Sequence, residues 1–291
     1  MSGATNSDPS KTKGMLTDVT KCIGCERCVE ACVRKNKLPG DFLAHFRDKD
    51  GLSGNRFTSI VKAKDSTSGQ LRFTRRHCMH CLEPSCQAAC LVGAFKITPD
   101  GAVSYDADMC IGCRYCMLAC PFSIPRYQYD QPLPYVRKCK MNEECRVEGG
   151  KPACVSACPT GATIYGTRKY LLDVAKKRIA SNPKLYINHI YGEHEFGGTS
   201  VMYLSDIPIN NVLKMPSTKE FEKMRVASLT HKSVPAMVEP WVWVTPVQFF
   251  TVSAGLGAIW LFRRRSLLMN KENQENQSKD EMKKEGKHGN Q

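Results

Sequence analysis

Acidic side chains are scarce in this chain, 28 against 42 basic ones in 291 residues, and tryptophan occurs only three times. The deficit leaves a formal charge of +14. No other feature of nucleic-acid binding accompanies that excess, so nucleic acid is not an expected partner. No nucleophile–base constellation and no glycine-rich phosphate loop is visible, which argues against a chain that turns over a substrate of its own. Met1–Gly14 has no apolar core and no twin arginine, so no export signal is expected there. Charge is also missing from the 22 residues Trp241–Phe262, where all three tryptophans lie.

Cysteine is what the chain has instead. Sixteen cysteines fall into four groups of four: Cys22, Cys25, Cys28, Cys32; Cys78, Cys81, Cys86, Cys90; Cys110, Cys113, Cys116, Cys120; and Cys139, Cys145, Cys154, Cys158. The third group reads C-x2-C-x2-C-x3-C-P, the bacterial ferredoxin run that wraps a [4Fe–4S] cluster. The first has the same spacing, and the second lengthens one loop around Glu83-Pro84-Ser85. Three thiolates within seven residues serve three corners of one cube, while the fourth cysteine of each run serves a neighbouring cube. Zinc sites instead use well-separated C-x2-C pairs, and a disulfide framework does not explain such tight triplets. Four cubes at about −2 each would leave the holoprotein at roughly +6, so much of the basic excess answers buried anions.

Along the chain, 1–14 reads as a polar segment, 15–210 as the cluster-bearing domain, 211–240 as a linker, 241–262 as a transmembrane helix and 263–291 as a basic polar tail. Ala94–Tyr105 reads as a hairpin around Pro99-Asp100-Gly101 and Ala162–Tyr165 as a strand. Lys169–Ala180 has helical periodicity ended by Asn182-Pro183, and Gly198–Leu204 reads as a strand. The uncharged stretch is long enough to cross a bilayer core, with Trp241, Trp243 and Trp260 at its two ends and Arg263–Arg265 beyond; the alternative is a buried core helix. Ser253, Ala254, Gly257 and Ala258 give it small residues for close helix packing.

The runs CIGCERCVEAC (Cys22–Cys32), HCMHCLEPSCQAAC (His77–Cys90), CIGCRYCMLACPFSIPRY (Cys110–Tyr127) and PACVSACPTGA (Pro152–Ala162), with INHIYGEHEFGGTSVMYLSDIP (Ile187–Pro208), carry a resemblance. Over Met15–Pro208 the chain resembles the four-cluster iron–sulfur subunits of molybdopterin oxidoreductases and respiratory [NiFe] hydrogenases. The resemblance implies an α+β fold of two interleaved ferredoxin-like units, first motif paired with fourth and second with third. It implies cluster 1 on Cys22, Cys25, Cys28 and Cys158; cluster 2 on Cys139, Cys145, Cys154 and Cys32; cluster 3 on Cys78, Cys81, Cys86 and Cys120; and cluster 4 on Cys110, Cys113, Cys116 and Cys90. The fourth motif departs from the family's C-x2-C-x11-C-x3-C, because Asn142 stands at its second position and a cysteine follows at Cys145. Either Cys145 supplies the missing corner, or that cluster is [3Fe–4S] or otherwise altered and Cys145 is idle. His77 and His80 flank Cys78 and are candidates to donate to cluster sulfur, with ordinary packing as the alternative. Arg114, Arg126, Arg137 and Lys138 are candidates for charge compensation or a partner-facing surface.

The function implied is electron transfer between a catalytic subunit of hydrogenase or formate dehydrogenase type and a quinone-reactive membrane subunit. A molybdopterin reductase drawing on quinol, a cluster-bearing sensor or scaffold, and a self-contained enzyme are the rivals. Arg263–Arg265 place the tail in the cytoplasm and the clusters outside the inner membrane, with a cytoplasmic cluster domain as the alternative.

Overall fold

The computed structural model describes residues 11–39, 51–64, 69–128 and 135–213, and separate positions between 251 and 269. Two compact units divide the chain, Met1–Met237 and Val238–Gln291.

In the first unit, β1 (Lys13–Asp18) leads through a 3-10 turn into the first cysteine loop and α1 (Arg27–Lys35). An antiparallel pair, β2 (Ser59–Lys64) and β3 (Leu71–Arg76), follows. Then come α2 (Ser85–Ala88), the pair β4 (Phe95–Ile97) and β5 (Val103–Tyr105), α3 (Tyr115–Ala119) and the short pair β6 (Arg126–Tyr127) and β7 (Val136–Arg137). The chain closes with α4 (Ala153–Ser156), β8 (Thr163–Thr167), α5 (Arg168–Ser181), β9 (Ile190–Tyr191), β10 (Val201–Leu204) and α6 (Ile209–Leu213).

These elements form two similar ferredoxin-like units, one set within the other. In the inner unit α2 packs on α3, and the β4–β5 pair links the second cysteine motif to the third. In the outer unit α1 packs on α4, and β8, after the fourth motif, pairs antiparallel with β1, before the first. The likeness extends to single residues. Cys90-Leu91-Val92-Gly93-Ala94 leads into β4 as Cys158-Pro159-Thr160-Gly161-Ala162 leads into β8, with Gly93 and Gly161 both at positive φ, +67° and +59°.

The main sheet has the order β8-β1-β10-β9, with β1 and β10 parallel. Both its faces are covered, and the inner strand β10, buried at every position, is accordingly apolar throughout (Val201–Leu204). Leu16, Met202 and Leu204 pack on Leu171 and Ala175 of α5. Met15, Val201 and Tyr203 face the opposite way, into a core that contains Cys32, Cys78 and Cys139. The close approach of β1 to the turn before β10 needs glycine: a Cβ on Gly14 would stand 2.1 Å from the Ser200 carbonyl oxygen.

The hairpin expected over Ala94–Tyr105 is present, Phe95 opposite Tyr105 and Ile97 opposite Val103, turning where Gly101 has φ +85°. The expected helix is α5, its N-terminus capped by the Thr167 hydroxyl accepting from the Tyr170 amide. The strands expected near 162–165 and 198–204 are β8 and β10.

Among the described residues no helix is long and apolar enough to cross a membrane, so the transmembrane part of the expected fold receives no support from the structure. Residues 241–250 of that span lie outside the described residues, as do 1–10, 214–240 and 270–291 of the other expected segments. Described positions from Thr251 to Phe262 are helical and exposed, Trp260, Leu261 and Phe262 included.

Candidate metal centres

The first and third cysteine loops share one backbone. Gly24 and Gly112, in the two C-I-G-C segments, both have φ +72°, and Glu26 and Arg114, two residues on, lie at +57° and +63°. The left-handed glycine curls the chain so that a backbone amide turns toward sulfur: the Gly112 N–H donates to Cys110 Sγ at 3.4 Å. At Gly24 only glycine fits, because a Cβ would meet the Phe73 ring at 2.6 Å. The following helices, α1 and α3, then point the last cysteine of each loop away from its own triplet.

Three cavities are lined by four cysteines each. One of about 380 Å³ holds Cys22, Cys25, Cys28 and Cys158, and one of about 300 Å³ holds Cys32, Cys139, Cys145 and Cys154. A third, of about 350 Å³, holds Cys78, Cys81, Cys86 and Cys120. The remaining four meet as well, with Cys110, Cys113 and Cys90 around Cys116. Each quartet draws three cysteines from one motif and one from its partner motif.

The quartets lie in a row. Charge on Cys154 of the second quartet acts on Cys28 of the first, charge on Cys78 of the third acts on Cys139 of the second, and charge on Cys116 of the last acts on Cys86 of the third. Cys25 and Cys113, one in each end quartet, are exposed, whereas Cys32, Cys78, Cys86, Cys139 and Cys145 of the middle two are buried.

Cys145 reaches the second quartet through a 3-10 turn, Glu143–Cys145, that follows left-handed Met141 at φ +50°. The turn buries Cys145 against Cys32, Cys139 and Cys154, while Asn142 is not among the residues lining that cavity.

The donor set fits an iron–sulfur cube better than a lone ion. Among the described residues no three His, Cys, Asp or Glu side chains converge as a single metal ion requires, and zinc would need its thiolates at about 2.3 Å from one point. Each cavity is instead ringed by four thiols drawn from two separate motifs, the soft donor set that the four corners of an iron–sulfur cube require. Burial pushes the thiols up, to about 11 at Cys28 and Cys120 and about 12 at Cys32 and Cys116, so filling the cages must release protons. Cys158 differs: burial opposes its ionisation, but hydrogen bonds from the Thr163 amide, the Thr160 hydroxyl and the Ala162 amide outweigh it and hold the thiol below its usual value. In the matching position Cys90 Sγ accepts from the Ala94 amide at 3.2 Å.

His77 and His80 are both fully enclosed, and burial, reinforced by neighbouring cations, keeps both neutral. Arg75 can only donate, so His77 Nε2, 3.0 Å from its Nη2, accepts and the ring proton sits on Nδ1. His80 Nδ1 accepts from the Val103 amide at 3.0 Å, which puts its proton on Nε2. Of the four cations singled out from sequence, Lys138 lines the third cavity and donates to the Val103 and Cys139 carbonyls. Arg114 lies 4.1 Å over the Tyr127 ring, and Arg126 pairs with Arg137 across β6 and β7, its charge acting on Cys120. Sequence reading missed the buried pair Arg75 and Arg76. Their only signal is a basic doublet directly before His77-Cys78, which looks like ordinary surface charge.

Two profiles, each described as a 4Fe-4S dicluster domain, match residues 70–168 and 21–94. They overlap and run along the chain, whereas the motifs pair in space outer with outer and inner with inner. The chain is 44% identical over 204 residues to a protein of Nitratidesulfovibrio vulgaris, covering 68% of this chain and 55% of that protein. It thus spans little more than half the length of that relative. It is 35% identical over 263 residues to the hydrogenase-2 operon protein HybA of Escherichia coli O157:H7, covering 78% of this chain and 80% of HybA. Over 197 residues it is 36% identical to the nitrate-inducible formate dehydrogenase iron–sulfur subunit of Escherichia coli K12, covering 65% and 66%.

Proposed function

The chain belongs to the family of 4Fe-4S dicluster iron–sulfur proteins that includes HybA and the formate dehydrogenase iron–sulfur subunits, and from that premise we propose that it relays electrons within a respiratory oxidoreductase complex. The observation that carries this reading is the row of four cysteine quartets with exposed cysteines only in its end members.

In this reading each quartet holds one [4Fe–4S] cluster, which supplies reversible one-electron exchange when bound. Cys145 acts as the fourth corner of the second cage. The protein's own work is to exclude water from the middle cages, to aim amides such as those of Gly112 and Ala94 at sulfur, and to place cations nearby.

Each end of the row exposes apolar side chains. Ile23 is exposed beside the first quartet, and Leu91, Ile111 and Leu118 beside the last. The three at the last end suit a protein partner, and we place a second partner at the Ile23 end. The relatives' names point to a catalytic subunit of hydrogenase or formate dehydrogenase type as one. The other, in our reading, is a quinone-reactive membrane subunit beside which Trp241–Phe262 crosses the inner membrane, with the cluster domain on its outer side.

Iron and acid-labile sulfide per chain, with EPR of the dithionite-reduced protein, test this. About sixteen iron atoms are expected from four cubes; colourless protein after anaerobic purification, or stoichiometric zinc, would refute it.

A further inference from the structure

Arg75 is only 2% exposed, in mid-register on β3 opposite Ile60. A guanidinium carries five N–H donors and cannot lose its charge. Here Nη2 reaches His77 Nε2 at 3.0 Å and Met15 Sδ at 2.9 Å, both neutral and weak compensation for a buried cation. Nε and Nη1 are fully enclosed and have no protein acceptor. Among the described residues no carboxylate pairs with Arg75. The anions its charge can meet are thiolates: the side chain lines the cavity of Cys22, Cys25, Cys28 and Cys158, and it acts on Cys154 and Cys139 of the second quartet as well as Cys28 of the first.

The other buried cations are differently placed. Arg76 donates to the Leu213 and Phe122 carbonyls at 2.5 and 2.9 Å, and Lys138 to those of Val103 and Cys139. An isolated buried charge is strongly unfavourable unless something answers it. Arg75 is therefore a donor set and a charge in want of an anion, positioned between two cysteine cages.

We propose that Arg75 is the shared counter-charge of the first two centres, donating N–H to their sulfurs and raising the reduction potential of both. The inference rests on the cluster assignment above. An added electron makes each centre more negative, so a fixed neighbouring cation stabilises the reduced state over the oxidised one. The thiols that chiefly act on Arg75 belong to the first two quartets, and the third has Lys138 and Arg126 of its own. Arg75 is thus a positioning residue for charge, one that biases where along the row an electron rests.

The test uses the full chain purified anaerobically, as wild type, Arg75→Met and Arg75→Lys, with iron per chain and an EPR-monitored redox titration on each. Iron in the wild type reports on the cluster assignment itself, and the comparison among variants reports on Arg75. In Arg75→Met, two of the four signals should show at least a tenfold lower reduced-to-oxidised ratio at a fixed potential. For a one-electron couple that is a shift of about 59 mV to lower potential. The other two signals should stay in place, and Arg75→Lys should follow the wild type. Loss of iron from two sites in Arg75→Met with full iron in Arg75→Lys would support the same conclusion, because the counter-charge would then decide whether those centres are held. Unchanged titrations in an iron-replete Arg75→Met, equal shifts in both variants, or iron loss in both would overturn it.

Discussion

Cys145 is the residue at which the chain leaves its family's cysteine pattern, and its placement decides how the second cage closes. The 3-10 turn carries it into the cavity with Cys32, Cys139 and Cys154, three residues after the position where the family's ligand would stand. Cys145→Ser is expected to lower iron from about sixteen to about fifteen per chain and to give a three-iron EPR signal in the oxidised protein. Asn142→Ala should leave iron and spectrum unchanged; the reverse pattern would mean that Asn142 completes the site. Most of the cages could be read from the sequence at this scale, because thiols at two-residue spacing announce three corners of a cube. The fourth corners came from family resemblance, since no local pattern links Cys158 to Cys22. Arg75 could not be read at all. In the string Leu71–Arg76 its charge looks the same as that of Arg72, which is paired with Asp206, and only the fold separates them.

At the scale of elements, loops and short helices do the positioning, and their sensitivity should differ by surroundings. Gly24→Ala forces a side chain into φ +72° and against the Phe73 ring, whereas Gly93→Ala meets the conformational term at φ +67° with nothing within 4 Å. The second substitution should cost about 1 kcal/mol and the first about 2–3 kcal/mol or more, with loss of iron from the first quartet. Thermal unfolding and iron content of the two variants check this. The turn between β9 and β10 carries a pH-dependent tie. Buried Glu195 accepts from His189 Nε2 at 2.8 Å and from the Gly192 amide at 2.7 Å. Burial opposes its ionisation, yet the His189 hydrogen bond and the backbone amides of Gly192 and Glu195 hold its pKa below 4.5. His189 is raised above 6.5, chiefly by that same hydrogen bond. The Glu195 contribution is present above about pH 4.5 and fades as pH falls through its lowered value. The His189 contribution is complete below about pH 6.5 and fades as pH rises through its raised value. The melting-temperature gap between wild type and His189→Gln should therefore be widest near pH 5.5 and shrink toward pH 9. The hairpin, α5 and the two strands were legible as elements from turn residues and periodicity. The parallel pairing of β1 with β10 was not, because strands that far apart in sequence leave no local mark of their partnership.

Across the whole molecule, the row of quartets has an exposed isoleucine at each end, and each can be replaced without touching a cysteine. Ile23 and Ile111 occupy the same place in the two C-I-G-C loops and are exposed to 61% and 63%. Ile23→Glu and Ile111→Glu are each expected to leave iron content intact and to weaken capture of one co-expressed partner by at least tenfold, a different partner for each variant. Co-purification from membranes, scored for both partners, would show it; loss of neither partner would mean that these positions are not docking sites. The nested arrangement also bears on how the protein is made. Cys22, Cys25 and Cys28 leave the ribosome early, yet the corner that completes their cage, Cys158, follows only after the whole inner unit has been synthesised, and β8 must then arrive to close against β1. Iron delivery to a growing chain would thus fill the middle of the sequence before its beginning, and the first thiols to emerge must be guarded longest against oxygen.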